Sequence, residues 1–218
     1  MDIRYKITIL TLTTLALGIL TVGYLGFIPG VSDAMGTNKP IDLGVVYSPT
    51  DLSSIKEKLT KISTASKPTQ IQLTSNELTA LLVDQAEKSE SIPIQQSQVK
   101  VTETGVQVSG VLDVEKFRKI SETSEISASL KSRIEAAVNL VKTNPSIYMD
   151  ISISIQDGEL QTMINQAKIG QISIPMEQLK SNAGLLTEEL KQALESSGVK
   201  IQNLKAVNGK IDIQSYLN

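Results

Sequence analysis

The chain has 218 residues and no cysteine, histidine or tryptophan. Those absences exclude a Ser/His/Asp triad, a cysteine nucleophile, thiolate or imidazole metal ligation, and a disulfide framework. Aromatic residues are scarce too, with five Tyr and two Phe. Stacking platforms for single-stranded nucleic acid or for sugars are therefore poorly supplied. Lys and Arg number 21 against 23 Asp and Glu, a net charge of −2. That balance lays down no electrostatic footprint for a polyanion, so nucleic acid is excluded as a partner. The same scarcity speaks against catalysis. Asp150, Asp157 and Glu159 are close in sequence, as a glycosidase-type carboxylate pair requires, but Asp157 belongs to an Asp-Gly turn and Asp150 to the polar face of a strand. Asp33, Asp42 and Asp51 are too scattered for a calcium loop. The sequence points to no enzyme, no cofactor and no metal.

What the chain does have is one long uncharged apolar run, Ile7 to Ile28. As a helix its 22 residues reach roughly 33 Å at about 1.5 Å per residue, enough for a hydrocarbon core of about 30 Å. A cleaved signal peptide is the competing reading, with Arg4 and Lys6 as its basic region and Ser32-Asp33-Ala34 as a small-x-small site. The run exceeds the usual apolar core of such a peptide, which favours an uncleaved anchor. Arg4 and Lys6 precede the run and the next positive charge is Lys39, so the N-terminus is expected in the cytoplasm and the rest outside it. The expected organisation is a cytoplasmic N-terminus over 1–6, an anchor over 7–28, a Gly- and Pro-containing spacer over 29–47, and one extracytoplasmic domain over 48–218.

Within that domain the punctuation is regular. Ser48-Pro49-Thr50-Asp51 starts a helix over 49–64, with Leu52, Ile55, Leu59 and Ile62 on one face. Thr69–Thr74 reads as a short strand, and Thr74-Ser75-Asn76-Glu77 as the capping box of a second helix. Residues 92–113 read as a hairpin. Residues 122–142 carry a helical stripe that ends at Asn144-Pro145. In the next strand Ile147, Met149, Ile151, Ile153 and Ile155 face one way, and Asp157-Gly158 turns it back through Glu159 to Ile169, with Ile172 and Ile174 beyond. A further helix from Pro175, opening the third helix–hairpin unit, carries Met176, Leu179, Ala183, Leu186, Leu190 and Ala193, and a hairpin turning at Asn208-Gly209 closes the chain. Helix followed by hairpin thus recurs as an order of elements. The alternating strands imply an antiparallel sheet with one covered face. The expected fold class is α+β, a curved antiparallel sheet packed on long amphipathic helices.

The apolar set is almost all Ile, Leu and Val, with no Trp to plug a wide interior. A curved sheet around long helices, lined this way, leaves room for an acyl chain. The candidate lining positions on the helices are Leu130, Ile134, Val138, Leu179, Leu186 and Leu190. On the strand they are Ile151, Ile153 and Ile155. A filled core is the alternative role for the same side chains. Lys56, Lys58 and Lys61, interrupted by Glu57, read as a solvated helix face rather than a patch for anionic lipid.

The anchor, then a short strand into a capped helix (Ile71-Gln72-Leu73-Thr74-Ser75-Asn76-Glu77-Leu78-Thr79-Ala80-Leu81-Leu82), then hairpins against long helices, resembles the small membrane-anchored bacterial proteins of the YpmS-like and LmeA-like groups, relatives of the tubular lipid-binding superfamily. The resemblance lies in element order over residues 69–217. It implies an elongated hydrophobic groove and the binding or transfer of phospholipid. It does not reach Ile41–Val45 or the helix over 49–64. The expected partners are the membrane, through the N-terminal helix, and a phospholipid or fatty acid. The alternative is a non-catalytic accessory that binds another protein of the cell envelope.

Overall fold

The computed structural model describes residues 39–65, 67–90, 92–123, 144–156, 159–170, 172–177, 187, 191 and 200–216. The proposed anchor over 7–28 lies outside the described residues, as do most of the helices read over 122–142 and from Pro175. Among the described residues no helix is long and apolar enough to cross a membrane.

Helix α1 (Pro49–Thr64) begins where the sequence signals it. Ser48 caps it reciprocally with Asp51, Pro49 stands at the first position, and Ile55, Leu59 and Ile62 are buried. Strand β1 (Thr69–Thr74) leads directly into α2 (Ser75–Lys88). The capping box that joins them has Glu77 Oε2 accepting the Thr74 amide at 2.9 Å and Thr74 Oγ1 accepting the Glu77 amide at 3.2 Å. Two orphan donors at the helix start are satisfied without water, which lets this junction sit inside the fold. Strands β2 (Ile94–Val101) and β3 (Gly105–Leu112) form the first hairpin. Helix α3 (Val114–Thr123) follows, started by Asp113, whose Oδ1 accepts the Lys116 amide at 3.0 Å. Phe117 anchors it in the core at 3% exposure. The remaining strands are β4 (Ser146–Gln156), β5 (Glu159–Ile169), β6 (Ile172–Ser173), β7 (Lys200–Val207) and β8 (Lys210–Tyr216).

All strand pairs are antiparallel, in the order β1-β8-β7-β4-β3-β2, with β5 on the other edge of β4 and β6 on β5. A meander from β2 to β6 and a group in which β1 joins the β7–β8 hairpin make up this sheet. β4 pairs with β3 over residues 146–152, and β7 then takes over the same edge at a single rung, Ile155 opposite Leu204. Gly105 stands at the changeover, where an added Cβ would lie 2.0 Å from the Ile151 carbonyl oxygen, so only glycine lets the two backbones cross this closely. The two ends of the sheet, β1 and β2, are bridged by α2. Thr79 of that helix bonds both the amide and the carbonyl of Val99, and Ser75 Oγ accepts the Val101 amide at 2.9 Å.

The expected α+β class, with a sheet covered by long helices, is therefore corrected. The described residues form a mostly-sheet, nearly closed, barrel-like antiparallel structure with three helices of 10 to 16 residues and no long one. The physical reason is that a strongly twisted sheet can bury its aliphatic face on itself by curling. The alternation that marks a covered face is the same whether a helix or the far wall of the sheet covers it.

The interior divides into two clusters. One gathers Ile94, Val99, Val108, Ile147, Met149, Ile151 and Ile164 from β2 to β5 with Leu82, Ala86 and Phe117 from the helices. The other gathers Ile71, Leu73, Ile211 and Ile213 under Ile55, Leu59 and Ile62 of α1. Leu78 and Val106 pack against both.

Candidate functional site

The single rung between β4 and β7 marks a seam between the two groups of strands, and several of the aliphatic side chains around it are only part-buried. Ile155 lies at its centre, flanked by Leu160 on β5 and Leu204 on β7. Ile155 itself is buried, as is Ile151. Around them Val106, Ile153, Leu160 and Leu204 are each only half-buried. Leu78 of α2, also half-buried, touches both clusters. No charged residue occupies the core-facing positions of β3, β4 or β5 here. The polar group nearest in register is Thr162, opposite Ile153, whose hydroxyl is bonded to that of Thr187. Such a rim excludes ions and accepts methylene groups.

Of the lining positions expected from sequence, Ile151 and Ile155 lie in the first cluster and Ile153 lies on its half-open edge. Leu130, Ile134, Val138, Leu179, Leu186 and Leu190 lie outside the described residues. Val106, Leu160 and Leu204 were not singled out by the sequence. Val106 and Leu160 are each the second residue of their strand, and Leu204 lies mid-strand, so no shared sequence signal marks the three.

The outer face of the sheet is polar and tightly tied. Asp150 Oδ2 accepts Gln107 Nε2 at 2.9 Å and its Oδ1 accepts Asn165 Nδ2 at 2.8 Å, and Asn165 also reaches Ser152 Oγ at 2.9 Å. Glu159 is opposite Gln156, six residues along β4 from Asp150, or about 20 Å at strand spacing. These two carboxylates do not come together, and Asp157 lies outside the described residues. On the neighbouring rung Gln98, Ser109, Tyr148 and Lys168 stand side by side, with Lys168 Nζ 5.9 Å from the Tyr148 ring centre. Burial, with the Asp150 carboxylate nearby, pushes the Tyr148 hydroxyl above its ordinary pKa.

Residues 41–46, the end of the stretch read as a spacer, lie across this rung. Leu43 and Val45 bury themselves against Tyr148. The Leu43 amide donates to Gln98 Oε1 at 2.7 Å, and Gln98 Nε2 donates to Asp42 Oδ1 at 3.2 Å. Two of the lysines of α1 reach α2 and β1. Lys58 Nζ reaches Glu77 Oε1 at 2.6 Å and the Gln72 carbonyl at 2.7 Å, and Lys56 pairs with Asp84 at 3.2 Å.

No protein family, curated protein or solved structure matches the chain.

Proposed function

We propose that the chain is a membrane-tethered module, held outside the cytoplasm by the apolar run 7–28, that takes an acyl-chain ligand, a phospholipid or fatty acid, against the aliphatic seam. The observation that carries this reading is the rim of Val106, Ile153, Leu160 and Leu204, left half-open where β4 meets β7 at one rung. Four part-exposed aliphatic side chains gathered on one charge-free face make the kind of contiguous apolar patch that suits an apolar ligand. In this reading β4 supplies the floor of the site, β5 and β7 its walls, and Leu78 the end nearest α2.

The test is native mass spectrometry of the full chain extracted from bacterial membranes, paired with displacement of a dansyl-labelled fatty acid. Added mass matching a phospholipid or fatty acid, and probe binding that Ile153→Asp weakens at least tenfold, are the expected results. A bare chain that does not bind the probe removes the reading. A second reading has its own observation: Ile41, Val46 and Tyr47 are 40%, 80% and 44% exposed within seven residues of chain. So dense a run of exposed apolar side chains suits an envelope protein partner. Recovery of one such partner with a bare seam would favour that alternative.

A further inference from the structure

We propose that residues 41–46 are a releasable latch on the outer face of the sheet, whose opening lengthens the chain between the domain and whatever precedes Lys39. The inference stands apart from the lipid reading, since it concerns the opposite face of the sheet and holds whether or not the seam takes a ligand.

The latch is attached by very little. Leu43, Val45 and Tyr148 form a cluster of their own, separate from both interior clusters. None of residues 41–47 belongs to a strand. The Leu43 amide is held by the Gln98 side chain rather than by a strand carbonyl, and the Gly44 amide turns back on Asp42 Oδ1 at 2.8 Å within the latch itself. Gly44 adopts φ +70° with nothing within 4 Å of where its Cβ would be, so this glycine serves the local turn and not a close approach to the sheet. Two aliphatic side chains and a two-bond clip from Gln98, to the Leu43 amide and to Asp42 Oδ1, are set against the backbone freedom of six residues, which places the closed state near balance.

Closing the latch also carries a cost on the sheet side. Ser109 stands between Gln98 and Tyr148 on the same rung, and its side chain faces the same way as theirs. It is wholly buried and its hydroxyl has no partner. An unsatisfied buried hydroxyl favours any state that returns it to water. The segment that follows the latch suits release. Ser48 fixes the start of α1 independently through Asp51 and Pro49, so opening stops there and does not propagate into the helix. Val46, the last residue of the latch, and Tyr47, which joins it to Ser48, are already exposed and hold nothing in place. Freed, residues 41–47 add up to about 25 Å of reach at full extension. A domain of this kind would stand close to its tether when latched and sample a wider radius when open.

The absence of native cysteine makes the test direct. Spin labels at Lys39→Cys and Lys100→Cys in the full chain bracket the latch, because Lys100 is exposed two residues along β2 from Gln98. The expected result is a short, narrow distance with a minor long component. Gln98→Ala should raise the long component at least threefold, and Leu43→Ser with Val45→Ser should make it the majority. Neither should alter cooperative unfolding followed by circular dichroism, because both interior clusters are untouched. A short distance that persists in both variants would overturn the proposal. So would a long distance before any latch substitution, or opening that appears only together with global unfolding. If the double variant does not fold, Gln98→Ala alone decides, since it removes the clip and leaves every apolar contact in place.

Discussion

Thr79 stands in for a missing strand beside Val99: its Oγ1 accepts the Val99 amide at 2.8 Å and donates to the Val99 carbonyl at 3.2 Å. β2 ends the sheet, and an end strand normally leaves its amides and carbonyls to water or to another chain. Here one hydroxyl, itself wholly buried, satisfies both groups of one residue, and Ser75 satisfies the next outward amide at Val101. At the other end of the sheet Lys58 covers the Gln72 carbonyl of β1. The near-closure of the barrel thus depends on helix side chains that imitate a strand.

Replacing Thr79 with Val keeps the shape and removes both bonds. Two buried backbone groups then lose their partner, at about 1–3 kcal/mol each. Urea denaturation should show a loss of about 3 kcal/mol or more, while Thr79→Ser should stay within about 1 kcal/mol of the parent. A larger loss for Thr79→Ser than for Thr79→Val would mean that the methyl group, not the hydroxyl, holds α2 in place.

Glu77 is the buried charge that joins α1 to α2. Burial pushes its carboxyl up, but bonds from Lys58, Ser54 and the Thr74 amide, with the Lys58 charge, outweigh this and hold it below the ordinary glutamate range. Asp84 follows the same pattern: burial raises it, Lys88 and Lys56 prevail, and its carboxyl is lowered. A carboxyl lowered in the folded state contributes stability that is present above the unfolded value, about 4.3 for Glu and 3.9 for Asp, and is lost as the pH falls through the folded value. The urea midpoint should therefore drop below about pH 4.3. Glu77→Gln should lower the midpoint at pH 7 and flatten the fall below pH 4.3. An unchanged slope in Glu77→Gln would assign the acid sensitivity elsewhere.

Ile151 and Ile153 are two residues apart on one strand and on the same face, but one is closed in and the other half-open. Ile151→Asp should cost about 4 kcal/mol or more, because it buries an unpaired carboxylate among Val106, Ile164 and their neighbours. Ile153→Asp can reach water, so it should cost about half as much and show its main effect on fatty-acid probe binding. Equal destabilisation by the two, measured by denaturation, would mean that the seam is as closed as the core.

Two backbone positions should respond in opposite directions. Gly105→Ala drives a methyl group into the Ile151 carbonyl where β3 gives way to β7, with an expected loss of at least about 2 kcal/mol. Gln96 has φ 50° in the bulge where β2 slips relative to Gly110 of β3. Gln96→Gly relieves that left-handed strain and should gain up to about 1 kcal/mol. Thermal unfolding of both variants reads the signs directly.

Much of the local structure was legible in the residues. The cap at Ser48, the box at Thr74 and Glu77, and the turn at Asn208-Gly209, with φ 51° and 71°, each form where their side chains call for them. α3, Val114–Thr123, was not read from the sequence, because a single capping Asp directly after a strand leaves almost no periodic signal before Phe117; the stripe read over 122–142 lies almost wholly outside the described residues. Neither the latch nor the seam could be read. Leu43 and Val45 show nothing in sequence that distinguishes a spacer from a segment lying on Tyr148, and Leu204 shows nothing that selects Ile155 as its neighbour.

The sequence by itself determined the elements, their turns and which face of each strand is apolar, because caps, glycine turns and period-two alternation act over a few residues. Only the tertiary structure decided what those faces meet. Alternation places Ile147 to Ile155 on one side of β4 whether a helix or the curled sheet covers them. Closure, the one-rung seam and the segment on the outer face depend on pairings between residues dozens of positions apart. Such pairings follow from twist, chain connectivity and the burial of the whole sheet.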